Sequence, residues 1–246
     1  MRLAVGVLEP LLLLLTRRDW RGGENVPRAG GVVVCPNHVS YIDPLTFAHF
    51  LWRQGRSPRF LAKESLFGLP VVGAVMRGAD QIPVLRESGR AAGAYAAAVA
   101  AVRSGSAVCV YPEGTITRDP DGWPMLGKTG AARIGLETGA PVVPVAQWGP
   151  QELLPAYAHR PRVRLGRRTL VRVAAGPPVD LDDLRGRPLD AELLREASLR
   201  ITVATARLLA GLRGGQPPAH PYDPVVSGPA RTGNPRPRQR RGRMSA

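Results

Sequence analysis

The chain has 246 residues and 44% hydrophobic content, enough for one α/β domain with a substantial core and too apolar for a chain disordered throughout. Its net charge is +15, and Lys63 and Lys128 are the only lysines, so arginine carries nearly all of it. Such an excess implies an anionic partner (a membrane surface, a phosphorylated small molecule or nucleic acid), set against a compositional bias toward Arg, Ala, Gly and Pro that the sequence also shows.

Leu3 to Leu15 is apolar apart from Glu9 and Pro10. As a helix it covers about 20 Å against a hydrocarbon core of about 30 Å, too short for a spanning segment. Arg17, Arg18, Asp19, Trp20 and Arg21 follow in place of a cleavage site. Cations and an indole beside a leucine-rich helix suit a membrane interface. Residues 1–21 are therefore expected to form a membrane-associating segment, the competing reading being a buried helix.

Val32-Val33-Val34-Cys35 reads as a buried strand, and Pro44 to Trp52 as a helix. Between them lies Asn37-His38-Val39-Ser40-Tyr41-Ile42-Asp43, which puts a histidine and a carboxylate in a strand-to-helix turn, a common place for a site. Asp43 before Pro44 reads as a helix cap. A folded-back loop would also let Asp43 fix the tautomer of His38 and leave the other ring nitrogen free as a base. On this stretch alone, cap and catalytic pair are equally good readings.

Arg59 to Ala62 is a second strand. Leu66 to Met76, with Pro70 and Gly73, is a broken helical stretch that reads either as the lining of an apolar channel or as core, core being the default. Gln81 to Arg86 reads as a strand ending in arginine, and Ser88 as the cap of an alanine-rich helix through Arg103. Ala107 to Tyr111 is a strand running into the tight turn Pro112-Glu113-Gly114-Thr115. Lys128 to Gly139 is a helix, Val142 to Ala146 a strand, and 162–174 a late hairpin at the sheet edge. Ala191 to Leu212 closes the domain as a helix, and from Arg213 the seven arginines with many Pro and Gly read as a disordered basic tail. Cys35 and Cys109 both fall in apolar strands, so they read as small hydrophobes; neither a disulfide framework nor a cysteine metal site is indicated. Alternating strands and helices predict a single α/β domain over 22–212, its sheet largely parallel or mixed with helices on both faces, followed by the tail 213–246.

The strand-end turns, taken in order, resemble the glycerolipid acyltransferases, the lysophosphatidic-acid acyltransferase family. That family is recognised by an NHxxxxD block, an arginine-ended block, a Phe-Pro-Glu-Gly-Thr-Arg block and a Val-Pro-Val block. Asn37-His38 with Asp43 fits the first in full, Arg86 ends the second, Pro112 to Thr115 fits most of the third, and Val143-Pro144-Val145 fits the fourth. There are departures. Ile116 stands at the third block's arginine, with Arg118 two residues later, and Tyr111 replaces its leading phenylalanine. Asp80 falls at the second block's glycine, with Gly78 two residues earlier.

The resemblance implies that His38 acts as general base on an acceptor hydroxyl, with Asp43 orienting it. It implies that Arg86 binds the acceptor phosphate, that Glu113 holds glycerol hydroxyls or Arg86, and that Gly114 and Thr115 offer backbone N–H groups to the phosphate. Asn37 and Lys128 are supporting residues. No serine nucleophile is needed, which agrees with the absence of a GxSxG elbow. The expected acceptor is a lysophospholipid, foremost 1-acylglycerol-3-phosphate, with acyl-CoA or acyl-carrier protein as co-substrate and with no metal or other cofactor. Another lyso-lipid or a glycolipid would use the same chemistry. The expected location is the cytoplasmic face of the cell membrane, peripheral or monotopic. A non-catalytic basic membrane- or nucleic-acid-binding protein is the reading from a different class. Against nucleic acid stand an aromatic content of only 5% and the lack of a helix-turn-helix or zinc pattern.

Overall fold

The structure, a computed structural model, describes residues 2–84, 91–158 and 166–223. In chain order the elements are α1 (Arg2–Leu15), β1 (Thr16–Arg21), β2 (Val32–Pro36), α2 (Asp43–Arg53), β3 (Pro58–Lys63), α3 (Pro70–Gly78), β4 (Ile82–Val84), α4 (Ala91–Arg103), β5 (Ala107–Cys109), α5 (Gly130–Thr138), β6 (Val142–Trp148), α6 (Pro150–Leu153), β7 (Thr169–Ala175) and α7 (Ala191–Arg213). The strands form one sheet in the order β1-β7-β6-β2-β5-β3-β4, parallel throughout except where β6 meets β7.

β2, at the centre, shows why the pattern gives this architecture. All five of its residues are buried, as a parallel strand covered on both faces requires. Val33 and Cys35 point into a core with Ala98 and Val102 of α4, Ile134 of α5 and Ile201 of α7. Val32 and Val34 point the other way, onto Phe47, Phe50 and Leu51 of α2. The period-2 alternation thus builds two cores from one apolar run, with helices on both faces as expected. It also places Cys35 and Cys109 in different cores, each a free thiol. α5 ends on Gly139 in the left-handed region (φ 67°), and α7 begins at Asp190, whose side chain accepts from the amides of Glu192 and Leu193.

Three sequence readings are revised. Residues 16–21 are an edge strand of the sheet, paired in parallel with β7, so the segment separate from the sheet ends at Leu15. An edge strand tolerates exposed charge, and Thr-Arg-Arg-Asp-Trp-Arg therefore shows no apolar alternation. The late hairpin is instead a single described strand, β7, lying between β1 and β6; residues 159–165 lie outside the described residues. The tail does not leave the fold at Arg213. That guanidinium sits over the rings of Trp123 and Trp148 at 4.6 and 4.3 Å, and the carbonyl of Tyr222 accepts from the Leu126 amide at 3.0 Å. Residues 224–246 lie outside the described residues.

Glu9, the charge that interrupts the first apolar run, has a structural role. It reaches across to α2, where His49 Nε2 lies 3.3 Å from its carboxylate and Arg53 pairs with it. His49 and Arg53 stand one turn apart and so share a face. α1 is thereby fixed on α2 with Leu12 buried, while Leu11 and Leu14 remain exposed. Among the described residues no helix is long and apolar enough to cross a membrane.

Candidate active site

β2 and β5 are adjacent and parallel, so the loops that follow them emerge side by side at one end of the sheet. The first carries residues 37–42 and the second residues 110–117. They are stitched together directly: the Thr117 amide donates to the His38 carbonyl at 2.8 Å, and the His38 amide donates to Glu113 Oε1 at 3.0 Å. The sequence separation of 75 residues between His38 and Glu113 is closed by one strand pairing.

His38 and Asp43 are brought into contact, with Nδ1 2.9 Å from Asp43 Oδ2. The same carboxylate oxygen accepts from the amides of Val39 and Ser40. Asp43 is the first residue of α2, not its cap: Ile42 holds the cap position, and the Asp43 side chain turns back into the preceding loop. The helix N-terminus still favours its negative charge. Asp43 is fully buried. Burial lifts its pKa above the ordinary carboxylate value, against the pull of His38 and the two amides. An ionised carboxylate can only accept, so Nδ1 carries the proton and Nε2 is the basic nitrogen. Tyr111 stacks on the imidazole with ring centroids 4.3 Å apart and planes inclined by 29°.

His38 lines a cavity of about 1640 Å³. That exceeds the ~300–1,000 Å³ of an ordinary small-molecule site. Its lining takes apolar side chains from α1, α2, β3 and α3, among them Leu8, Leu12, Leu45, Phe60 and Val72, with Glu9, His49 and Lys63 on the same elements, and the cations Arg118, Lys128 and Arg133 from the chain after Gly114 and Thr115. Gly114 has φ 67°, and a Cβ there would stand 3.0 Å from Lys128 Nζ, so the missing side chain is what lets the ammonium lie over the turn.

The remaining sequence-predicted residues divide. Asn37 supports the loop, exchanging hydrogen bonds with the backbone of Gln147 on β6 at 3.2 and 2.7 Å. Glu113 does not face the cavity, contrary to expectation. It is buried, and its two oxygens accept from the amides of His38 and Met125, each at 3.0 Å. Burial pushes its pKa up to about 8. The Gly114 amide is likewise committed inside the turn, to the Tyr111 carbonyl at 3.0 Å. Thr115 lines the cavity. Arg86 lies outside the described residues. Ile116, at the third block's arginine position, and Arg118 are both largely buried, and both line the cavity.

Gln147 was not singled out from the sequence. It is fully buried, donates from Nε2 to the Asn37 carbonyl at 3.1 Å and accepts from Thr46 at 3.3 Å. A lone amide in the apolar run Val-Pro-Val-Ala-Gln was the available signal, since a buried polar side chain must find partners.

Residues 17–148 match the family described as Acyltransferase. The chain is 34% identical over 125 residues to a 1-acyl-sn-glycerol-3-phosphate acyltransferase of Borreliella burgdorferi, covering 50% of this chain and 48% of that one. It is 32% identical over 141 residues to a chloroplastic 1-acyl-sn-glycerol-3-phosphate acyltransferase of Brassica napus, covering 56% and 39%. The chain thus spans half or less of the length of these curated relatives. Among solved structures it resembles the 1-acyl-sn-glycerophosphate acyltransferase PlsC of Thermotoga maritima, with a TM-score of 0.64, 27% identity, and coverage of 85% of this chain and 77% of that one.

Proposed function

The chain belongs to the acyltransferase family, and from that premise we propose that it moves a fatty acyl group from a thioester donor to the hydroxyl of a lysophospholipid. One observation carries the reading: a histidine whose Nδ1 is held by a buried aspartate lines a cavity whose wall combines many apolar side chains with the cations Arg118, Lys128 and Arg133. An acyl chain suits the first and an anionic headgroup the second.

In this reading Nε2 of His38 takes the acceptor's hydroxyl proton as the oxygen attacks the thioester carbonyl. The tetrahedral adduct collapses, the C–S bond breaks, and the imidazolium returns its proton to the leaving thiolate. Asp43 stabilises the imidazolium between those steps. The acceptor favoured by the resemblance and by the names of the relatives is 1-acylglycerol-3-phosphate, giving phosphatidic acid. The donor is acyl-CoA or acyl-carrier protein, with no further cofactor. The exposed leucines of α1 and the excess of arginine support action as a peripheral protein at the cytoplasmic face of an anionic membrane.

Purified protein with labelled acyl-CoA and 1-acylglycerol-3-phosphate is expected to yield phosphatidic acid, with a panel of lyso-acceptors read by mass spectrometry. No transfer to any lysophospholipid from either donor would sink the reading.

Lys128 and Arg118 are two of the described cations in the cavity lining and are assigned to hold the headgroup. Lys128→Ala and Arg118→Ala are each expected to raise the acceptor's KM about 10-fold, the worth of roughly 1.4 kcal/mol in one charge-assisted contact. The KM for the acyl donor should stay put. Equal increases for donor and acceptor would count against a headgroup role.

A further inference from the structure

The default core reading of 66–76 does not hold: in α3 only Gly73 is buried, while Leu66, Val72, Val75 and Met76 line the cavity, as the channel reading expects. Val71 is 77% exposed, Leu69 47%, Val75 42% and Val72 41%. A helix this apolar belongs inside a protein or against another apolar medium. It contacts chiefly the turn just before it, where the amide of Gly73 donates to Leu69 O at 2.7 Å and Arg77 donates to Phe67 O at 2.7 Å. These bonds fix the helix and leave its apolar side bare.

The exposure is not scattered. Of the eleven large hydrophobic side chains exposed among the described residues, all but Leu189 and Leu199 lie on three segments: the end of α1, the turn into α2 with its first residues, and 66–75. Each of these segments also lines the cavity, through Leu12, Leu45 and Val72 among others. The bare apolar surface therefore adjoins the cavity and forms its rim on that side. A patch of this kind marks an interaction site.

We propose that α3 is a second membrane-contact element, which seats the rim of the cavity on an anionic lipid leaflet so that amphiphiles pass from leaflet to His38 without crossing water. One feature selects a lipid surface over a second copy of the chain. The bare surface adjoins a cavity lined largely by apolar side chains, so its occupant must be one that can feed that cavity. The charges flanking the stretch balance, Lys63 and Arg77 against Glu64 and Asp80, so the attraction to an anionic leaflet rests on the chain's net charge of +15. The choice of occupant rests on the lipid-substrate reading, but the first test requires no turnover.

Cys35 and Cys109 are buried, so Val71→Cys introduces the one readily labelled thiol among the described residues. Carrying a polarity-sensitive dye, it is expected to shift to the blue and brighten several-fold on mixed phosphatidylglycerol–phosphatidylcholine vesicles. The same dye at Leu199→Cys on α7 should not respond. An unchanged spectrum at position 71 while the protein co-sediments with the vesicles overturns the proposal. So does failure to co-sediment, and so does a shift that follows protein concentration without vesicles, which would mean a second copy covers α3. In the second test, Leu69→Asp with Val71→Asp, neither of which lines the cavity, is expected to cut turnover of a vesicle-borne long-chain acceptor at least 10-fold. Turnover of a short-chain, monomerically soluble acceptor should remain at the wild-type level. Equal loss on both acceptors overturns the inference. If the wild type transfers no acyl group at all, the acyltransfer reading fails and the fluorescence result alone decides the role of α3.

Discussion

His38→Ala is expected to lower kcat for acyl transfer by about 10²–10⁴-fold, the usual worth of a positioned general base, with little change in thermal stability. The side chain is only partly buried, and the loop keeps its other ties: the Thr117 amide on the His38 carbonyl and Glu113 on the His38 amide, both made by backbone atoms that alanine retains. Asp43→Asn should be nearly as damaging for a different reason. The Asp43 oxygen accepts from His38 Nδ1 and from two backbone amides. An asparagine cannot offer an ionised carboxylate to the imidazolium, and its amide group presents donors where donors already converge. Because the two residues act as a unit, the double variant should lose little more than the worse single variant. Steady-state rates with a melting curve for each protein check this. A His38→Ala enzyme within about 3-fold of wild type would remove the histidine from the chemistry.

The acid side of the pH profile follows from the same geometry. Asp43 must be ionised to stabilise the imidazolium, and burial raises its pKa. Activity is therefore lost as pH falls, from a point above the ordinary carboxylate range.

What the sequence disclosed and what it withheld have physical reasons. The central strands were legible because burial on both faces leaves an unbroken apolar run, as in Val32 to Cys35. His38 and Asp43 were legible as a pair because both lie in one turn, five residues apart, and local geometry can join them. Glu113 was misread because its partners are the amides of His38 and Met125, and backbone donors carry no sequence signature. β1 was missed because an edge strand is free to be charged. α3 was misplaced because composition reports what a segment avoids, which is water, and not what it touches instead.

Glu113→Ala distinguishes a carboxylate that positions His38 from one that binds substrate. It leaves the buried amides of His38 and Met125 without an acceptor, each at a cost of about 1–3 kcal/mol, so a stability loss of roughly 2–6 kcal/mol is expected. The catalytic loop would then be held to the second loop mainly by the single bond from the Thr117 amide. A displacement of about 1 Å in a catalytic group costs about 10²-fold. The loss should therefore fall on kcat, with the acceptor's KM within about 3-fold of wild type; a raised KM at unchanged kcat would restore the substrate-binding role. Glu113→Gln, which keeps one acceptor oxygen, should lie between. Titration gives an independent reading. Burial lifts the Glu113 pKa from 4.5 to about 8, so across that window the folded chain holds a proton that the unfolded chain has released. The stability contribution is complete below the unfolded value, declines as pH rises through the window at up to about 1.4 kcal/mol per unit, and is flat above about 8. Melting temperature measured between pH 5 and 8 should fall more steeply for the wild type than for Glu113→Gln, which has no proton to hold. Parallel curves would mean that Glu113 is ionised in the folded protein, and that the two amide bonds outweigh its burial.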